Sequence, residues 1–266
     1  MVNDPETWHY GLVAQWWAHF TAARPEELTY YRQAIERYGQ PALDLGCGTG
    51  RLLRPLLEAG LDVDGSDISP DMLALCRELA ARAGMESRLY AQAMHALDLP
   101  RTYRTIYICD SFGIGGQRHQ DAEALRRCYH HLAPGGALVF SHHLPYGDAD
   151  DWPYWLPEER KRLPEAWPEP GSQRAANGDA YEWQSRLAAF DPLEQRQTLQ
   201  VRVTLRREGQ LVAQEEQTLH GIAYFRNEIL LLLERAGFGT ITVYGGYTEE
   251  AATADDTMLV FVAERD

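Results

Sequence analysis

The sequence predicts an α/β protein with a parallel sheet, into which a stretch of antiparallel strands is inserted late in the chain. Three observations support this prediction. Residues 42–58 read as a buried strand that runs into a glycine-rich turn and a helix. Strand-like and helical patterns then alternate as far as Ser141, which is typical of a parallel sheet. Between residues 180 and 225, three strand-like runs follow one another without a helical pattern, as in an antiparallel meander.

The first of these elements is the stretch 42–50, which reads Ala-Leu-Asp-Leu-Gly-Cys-Gly-Thr-Gly. Its apolar start predicts the end of a buried strand, and its glycines allow a sharp turn in which a ligand can lie against bare backbone. The apolar spacing from Arg51 onwards predicts a helix, whose first N–H groups lie at the turn. Because a helix N-terminus carries partial positive charge, the turn favours an anionic group or a carboxylate.

A second short strand is predicted to begin at Leu61 and to finish at Asp67. This acid follows the first glycine by about 20 residues, the distance at which an acid meets a ribose diol in nucleotide-binding folds. The unit therefore predicts a nucleoside site. A dinucleotide fingerprint needs a small residue where this chain has Arg51, which argues against an NAD-dependent oxidoreductase. That class stays as an alternative, because it shares the strand, the loop and the acid.

The pattern resembles the class I S-adenosylmethionine-dependent methyltransferases, whose first motif has the form Asp-x-Gly-x-Gly-x-Gly and whose second strand ends in an acid. The matching residues are Asp44, Gly46, Gly48, Gly50 and Asp67. The resemblance covers residues 40–141 and, less closely, residues 224–266. It implies a Rossmann-like, seven-stranded, mainly parallel sheet with helices on both faces, plus an antiparallel β insert, as in small-molecule enzymes of this class.

The resemblance implies S-adenosyl-L-methionine as cofactor and places its contacts after the first four strands. These contact residues are Asp44, Gly46, Cys47, Gly48, Gly50, Asp67, Ile68, Met72, Ala93, Met94, Asp110 and Ser111. Related enzymes often have an acid at the position of Ala93, so here backbone groups or His95 would contact the adenine amine. Asp110 either holds the amino-acid part or caps the following loop.

The acceptor side is expected to involve aromatic residues and histidines. The candidates are Tyr10, Trp17, Tyr31, His142, His143 and Tyr224. For the first three, packing in the core is an equally open interpretation. His142 follows the fifth strand and is either a general base or a polar residue at the rim of the site. Adjacent histidines point apart on an extended chain, so no metal site is expected there.

Changes in composition suggest three regions. Residues 1–39 form an N-terminal helical cover, and residues 40–149 with 224–266 form the methyltransferase core. Residues 150–223 form the insert, which begins with an irregular segment rich in tryptophan and proline and continues as the meander. The insert either roofs the active site or forms the surface of a homodimer.

Composition limits the partners. The formal net charge is -14, from 39 acidic and 25 basic residues, so the overall field repels nucleic acid. No apolar run is long enough to cross a membrane, and the first residues lack the features of a signal peptide. The 4 cysteines are scattered without the spacing of a metal site, which indicates a reducing compartment. A cytoplasmic location is therefore expected.

Taken together, the sequence predicts methyl transfer to a small-molecule acceptor by in-line displacement. A neutral amine acceptor needs no strong base, whereas a hydroxyl usually does, and nitrogen is placed ahead of oxygen. A non-catalytic protein that binds S-adenosylmethionine is a further alternative. The aromatic residues suit a flat or cationic acceptor.

Overall fold

A computed structural model describes residues 7–147, 149–150 and 152–266. The helices of these residues are α1 Gly11–Phe20, α2 Pro25–Tyr38, α3 Leu53–Glu58, α4 Pro70–Arg82, α5 Arg118–His131, α6 Pro157–Arg160 and α7 Arg226–Ala236. The strands are β1 Ala42–Leu45, β2 Val63–Asp67, β3 Leu89–Ala91, β4 Tyr103–Ile108, β5 Leu132–His143, β6 Gly171–Arg174, β7 Ala180–Asp191, β8 Arg196–Arg207, β9 Gln210–Ile222, β10 Thr240–Gly245 and β11 Met258–Glu264.

The larger sheet has seven strands in the order β10-β11-β5-β4-β1-β2-β3. The strands from β1 to β5 pair in parallel, and β11 pairs antiparallel with both β5 and β10. The register places Ala42 opposite both Val63 and Thr105, so β1 lies inside the sheet, between β2 and β4. The predicted α/β fold with a mainly parallel sheet is confirmed.

Apolar side chains cover both faces of this sheet. On one face, α2, α3 and α4 contribute residues such as Ile35, Leu53 and Cys76, which are fully buried. On the other face, Leu125 of α5 and Leu233 of α7 are equally buried. The predicted helical start at Ser69 is also found, because its hydroxyl oxygen accepts a hydrogen bond from the Met72 N–H at 3.2 Å.

The second sheet is an antiparallel meander of four strands, in the order β6-β7-β8-β9. The predicted hairpin turn is the pair Glu208 and Gly209, whose φ angles of 50° and 80° suit a two-residue turn. The sequence missed β6, because all four of its residues are exposed and no apolar alternation marks it. The sequence predicted that the last strand of this meander runs to Phe225, but β9 ends at Ile222. The Phe225 N–H instead donates to the Glu228 carboxylate at the start of α7.

Two connections hold the second sheet over the carboxyl ends of the parallel strands. The loop after β4 pairs with β9, where the Gly115 N–H donates to the His220 carbonyl at 2.8 Å and the Ile222 N–H donates to the Gly113 carbonyl at 3.0 Å. Helix α1 packs on the inner face of the second sheet, where it contributes Leu12 and Val13 to a shared apolar cluster.

The N-terminus of α1 is bonded to both parts of the molecule. The Gly11 N–H donates to Asp71 of α4 at 2.8 Å, and the Leu12 N–H donates to Glu215 of β9 at 2.9 Å. Carboxylates are favourable at this end of a helix. Among the helices of the described ranges, none combines the length and the apolar character that crossing a bilayer requires.

Candidate active site

A cavity of about 600 Å³ lies at the carboxyl ends of the parallel strands. Its walls come from the glycine turn after β1, the residues after β2, β3 and β4, helix α1 and strand β9. All the predicted cofactor residues except Asp44 and Gly50 line it. This is the edge at which open parallel sheets bind their ligands.

The glycines of the turn adopt a backbone conformation that other residues rarely take. Gly46, Gly48 and Gly50 have φ angles of 81°, 54° and 80°. A Cβ atom added to Gly46 would lie 2.4 Å from the hydroxyl oxygen of Ser111 and 2.9 Å from Cε of Met94. The turn therefore depends on glycine for both its backbone angles and its close approach to these neighbours.

Asp67 joins the glycine turn to the start of α4. One carboxylate oxygen accepts the Gly48 N–H and the other accepts the Ser69 N–H, both at 2.8 Å. Burial raises the pKa of Asp67, while these two hydrogen bonds act to lower it. Each oxygen has a further lone pair, so the carboxylate can still accept a hydroxyl of a ligand at the cavity wall.

The two remaining residues of the glycine motif lie behind the cavity wall. Asp44 is buried, and burial raises its pKa to about 7, whereas the Tyr107 phenol and the Arg51 guanidinium act to lower it. Gly50 packs against α4, since an added Cβ would lie 2.6 Å from Sγ of Cys76. Neither residue lines the cavity, so their assignment as cofactor contacts stays a prediction.

A group of paired charges lies beside the glycine turn. Glu27 is 1% exposed and accepts hydrogen bonds from Arg24, at 2.5 and 2.8 Å, and from Arg51. Both guanidinium groups also lie 3.9 Å from the Asp110 carboxylate. Burial acts to raise the pKa of Glu27, but the bonds from Arg24 and the charge of Arg51 lower it overall.

Glu27, Cys109 and Asp110 bring three ligand atoms within 4.8 Å of one another, a spacing that a metal ion could bridge. Both carboxylates already pair with Arg24 and Arg51. The cluster therefore contains its own cations, and its chemistry is that of a salt-bridge network.

Asp110 and Ser111 follow β4 and face the glycine turn. Asp110 has a φ angle of 56°, which is uncommon outside glycine and is held by two hydrogen bonds. The Ser141 hydroxyl donates to its carboxylate at 2.6 Å, and its own N–H donates to the same hydroxyl oxygen at 3.1 Å. The Ser111 hydroxyl oxygen is buried at the cavity wall and finds no partner among the described residues.

Aromatic residues of the N-terminal segment form another part of the wall, to which Trp8, His9, Trp17 and Phe20 contribute. In the described chain the indole N–H of Trp17 is buried and unpartnered. Desolvation lowers the pKa of His9 to about 4. The indole N–H of Trp8 donates to Nε2 of His9 at 3.2 Å, so the neutral ring carries its proton on Nδ1.

Of the predicted acceptor residues, Trp17 lines the cavity and the others do not. Tyr31 is fully buried, and its hydroxyl donates to the Ile108 carbonyl at 3.1 Å. Tyr224 is fully buried as well, and its hydroxyl donates to Asp121 at 2.7 Å. Tyr10 precedes α1 and lies outside the lining. For Tyr31 and Tyr224 the structure favours the packing interpretation.

The structure separates the two histidines after β5. His142 is buried beside Phe112, and its Nε2 donates to the Tyr224 carbonyl at 3.1 Å. Burial lowers the pKa of His142 to about 4, so this imidazole is neutral and lies away from the cavity. His143 is exposed, with Nε2 3.8 Å from the Asp110 carboxylate. The general-base role predicted for His142 finds no geometric support.

Sequence reasoning missed several charged and polar residues of the wall, which are Thr7, Arg24, Glu27, Gln120 and Asp121. Each lies far in the sequence from the glycine motif or behind an ordinary helical pattern. The one available signal was Arg51, whose guanidinium at the helix start requires a nearby acid, which proves to be Glu27.

A family model described as a methyltransferase domain matches residues 42–136. Among curated relatives, dTDP-3-amino-3,6-dideoxy-alpha-D-glucopyranose N,N-dimethyltransferase of Streptomyces fradiae is 32% identical over 141 residues, which are 48% of this chain and 49% of that protein. The first curated relatives are matched over 48% to 58% of their own length. The chain thus spans about half of the curated relatives it matches.

Solved structures extend the likeness to nearly the whole chain. An S-adenosylmethionine-dependent methyltransferase from Clostridium acetobutylicum has a TM-score of 0.68 at 15% identity, over 92% of each chain. The sugar N-methyltransferase KedS8 from Streptoalloteichus has a TM-score of 0.65 at 20% identity, over 91% of this chain and 87% of its own. At these identities the likeness concerns the fold.

Residues 42–136 are therefore a methyltransferase domain, set in the fold that S-adenosylmethionine-dependent methyltransferases share. The match to a methyltransferase domain and the shared fold agree with the class of protein that the sequence motif predicted. The domain match favours the methyltransferase interpretation of the glycine motif over the NAD-dependent alternative.

Proposed function

We propose that this protein transfers a methyl group from S-adenosylmethionine to a small-molecule acceptor, and that the accepting atom is a nitrogen. One observation carries the proposal. The glycine turn, Asp67 and the Arg24 cluster line one cavity together with aromatic and polar side chains that are available to a second molecule. A cofactor and an acceptor can therefore lie side by side.

The residues at the first end fit an adenosyl amino acid. The Asp67 carboxylate can accept ribose hydroxyls, and Ile68 and Met94 offer apolar contacts for the base. Arg24 is about half exposed and can bind the carboxylate of the amino-acid part, while Asp110 can bind its amino group. The Ser111 hydroxyl, which has no partner among the described residues, lies beside Gly46, where an added Cβ would come within 2.4 Å of its oxygen.

When bound, S-adenosylmethionine supplies an activated methyl group on a sulfonium. The protein then needs to orient the acceptor and exclude water, which the roof of α1 and the second sheet accomplishes over the strand ends. The aromatic rings of the wall are suited to a cationic or flat group.

The choice of nitrogen rests on the imidazole groups at the wall. His9 has Nε2 occupied by Trp8 and Nδ1 within 2.6 Å of the Thr7 hydroxyl, and His142 lies outside the cavity. His95 follows Met94, at the end assigned to the base of the cofactor. An amine needs no strong base to attack, whereas a hydroxyl usually does. The similarity to an amino-sugar N,N-dimethyltransferase also favours an amine.

A methyl-transfer screen tests the proposal. Isotopically labelled S-adenosylmethionine is incubated with the enzyme and pairs of acceptors that differ in one group, such as a nucleotide-linked aminodeoxy sugar and its hydroxy counterpart, or benzylamine and benzyl alcohol. We expect label in the amines and little in the alcohols. Transfer to the hydroxyl partners alone contradicts nitrogen, and absence of binding by both the cofactor and S-adenosylhomocysteine in calorimetry contradicts the function as a whole.

We also retain three predictions about surroundings: a cytoplasmic location, no nucleic-acid partner, and a homodimer formed through the insert. The exposed residues Leu211 and Val212 at the β8–β9 turn are where such a dimer would bury apolar area. Sedimentation of the wild type and of a Leu211→Glu variant tests the dimer.

A further inference from the structure

We propose that Asp121 binds a cationic amino group of the acceptor through the carboxylate oxygen that Tyr224 leaves unengaged. This inference rests on the proposed function, because it names the chemical group that the second part of the cavity recognises. It assigns Asp121 as a specificity-determining residue that holds the acceptor in place. The bound ammonium gives its proton to water before the nitrogen attacks the methyl group, because only the neutral amine has a free lone pair.

Asp121 lies in the first turn of α5, is 7% exposed and lines the cavity. Its neighbours in the wall include Gly115 and Ile114 of the loop after β4, and Leu219 of β9. In the sheet, β4 lies on the opposite side of β1 from β2 and β3. Asp121 therefore follows a strand that lies on the other side of β1 from Asp67 and Ile68, at the side closed by the second sheet.

The two carboxylate oxygens of Asp121 differ in their hydrogen bonding. Oδ2 accepts the Tyr224 hydroxyl at 2.7 Å. Tyr224 is itself fixed, because it is fully buried and its ring stacks on Phe112. Among the described residues no hydrogen bond reaches Oδ1. Oδ1 can therefore accept a hydrogen bond from a ligand or from water in the cavity.

The acidic residues along the wall differ in whether a cation pairs with them. Glu27 and Asp110 pair with Arg24 and Arg51. Asp121 has no such partner, since the nearest cation, Arg118, lies over the Tyr224 ring at 5.1 Å from its centre and pairs with Glu228 at 3.2 Å. Asp121 is thus a buried carboxylate whose charge no salt bridge in the described chain balances, and an ammonium group from a ligand would balance it.

A hydrogen bond that involves a charged group favours a cationic ligand over its neutral analogue. Burial raises the pKa of Asp121 to about 6, against the smaller lowering by Tyr224 and Arg118. The group is therefore still mainly a carboxylate at neutral pH. A merely structural role for Asp121, in the first turn of α5, would give no preference between an amine and an alcohol of the same shape.

The experiment compares binding of benzylamine and benzyl alcohol by calorimetry at neutral pH, with and without saturating S-adenosylhomocysteine. We expect the wild type to prefer benzylamine by about tenfold or more. Asp121→Asn should reduce this preference to less than about twofold and leave the affinity for S-adenosylhomocysteine unchanged. Glu123→Gln is the matched control, because it removes the same charge from a half-buried position of α5 outside the cavity and should keep the preference.

Tyr224→Phe is a second variant, since it keeps the ring and the charge of Asp121 but removes the hydroxyl donor. It should retain the preference for benzylamine. The proposal is overturned if the wild type binds both probes equally or neither at millimolar concentration, or if Asp121→Asn keeps the preference. It is also overturned if that variant weakens S-adenosylhomocysteine alone, which would place Asp121 at the cofactor. Failure of S-adenosylhomocysteine to bind the wild type contradicts the proposed function, whereas the two probes still report on Asp121.

Discussion

The two ends of the cavity are built in different ways. The end assigned to the cofactor is built around backbone groups and side chains between positions 46 and 72, which lie close together in the sequence, and Arg24, Met94, Asp110 and Ser111 complete it. The other end combines side chains from α1, the loop after β4, α5 and β9, which span more than half of the chain. A site made of backbone groups requires glycines at fixed spacing, so it can be recognised in the sequence. A site made of side chains from distant elements has no such local motif.

The largest expected loss of cofactor affinity is at Gly46. In Gly46→Ala, the new Cβ would lie 2.4 Å from the Ser111 hydroxyl and 2.9 Å from Met94. We expect affinity for S-adenosylhomocysteine, measured by calorimetry, to fall by about 100-fold or more, because the wall of the cofactor end must shift. Gly60→Ala is the matched control, since its φ angle of 80° is similar and nothing lies within 4 Å of an added Cβ.

Gly60→Ala should lower the free energy of unfolding by about 1 kcal/mol, through backbone strain alone, and leave cofactor affinity unchanged. Equal loss of affinity in both variants would show that backbone strain, and not the close approach to Ser111, governs the cofactor end.

Asp67 tests the side-chain contribution to the same end. Asp67→Ala removes a carboxylate that can accept ribose hydroxyls and that also holds the Gly48 and Ser69 N–H groups. We expect binding of S-adenosylhomocysteine to weaken by roughly 1.5–3 kcal/mol. Asp67→Asn keeps one acceptor oxygen and should give an intermediate loss. Calorimetry measures both, and unchanged affinity in Asp67→Ala would contradict the assignment.

Trp17 tests the aromatic part of the cavity wall. Trp17→Phe reduces the aromatic surface of the wall and removes an unpartnered indole N–H, so we expect KM for an amine acceptor to rise about fivefold while cofactor affinity is kept. The neighbouring Trp16→Phe is the control, because Trp16 packs against Trp183 at 4.5 Å between ring centres and does not line the cavity. A rise in KM of the same size for both variants would indicate a general loss of packing.

The smallest effect on turnover is expected at His142. Since its imidazole lies outside the cavity and bonds to the Tyr224 carbonyl, His142→Gln should change kcat by less than about twofold at neutral pH. A loss of about 100-fold, with a normal free energy of unfolding, would instead establish the general-base role.

The same variant has a pH signature in its stability. The folded pKa of His142 is about 4, below the ordinary value of 6.5, so the unfolded chain binds this proton more readily. The stabilisation by neutral His142 is therefore fully present above the unfolded pKa and is lost as the pH falls towards 4. The stability advantage of the wild type over His142→Gln should shrink by roughly 3 kcal/mol across this range, as measured by chemical denaturation.

Much of the fold could be predicted because local patterns determine it. The buried start of β1, the capping residue Ser69 and the glycine that ends α7 are all encoded within a few residues. Strand β6 could not be predicted, because it is stabilised by pairing with β7 rather than by an apolar face of its own.

The candidate site follows the same division. Asp67 and the glycine turn could be located from spacing, but the orientation of His142 depends on which face of β5 the core occupies. Alternation along a strand shows that His142 and His143 point apart, not which of them points inwards. Likewise, Arg24 and Asp121 reach the cavity only through the packing of α2 and α5, which the sequence does not specify.

The start of α1 has a consequence for how access to the cavity can be followed. Its first two amides are anchored separately, Gly11 to the core through Asp71 and Leu12 to the second sheet through Glu215. Hydrogen–deuterium exchange at these adjacent positions therefore reports on two different attachments of one helix. Faster exchange at Leu12 alone would signal release of the roof, and protection of both would mark the closed enzyme.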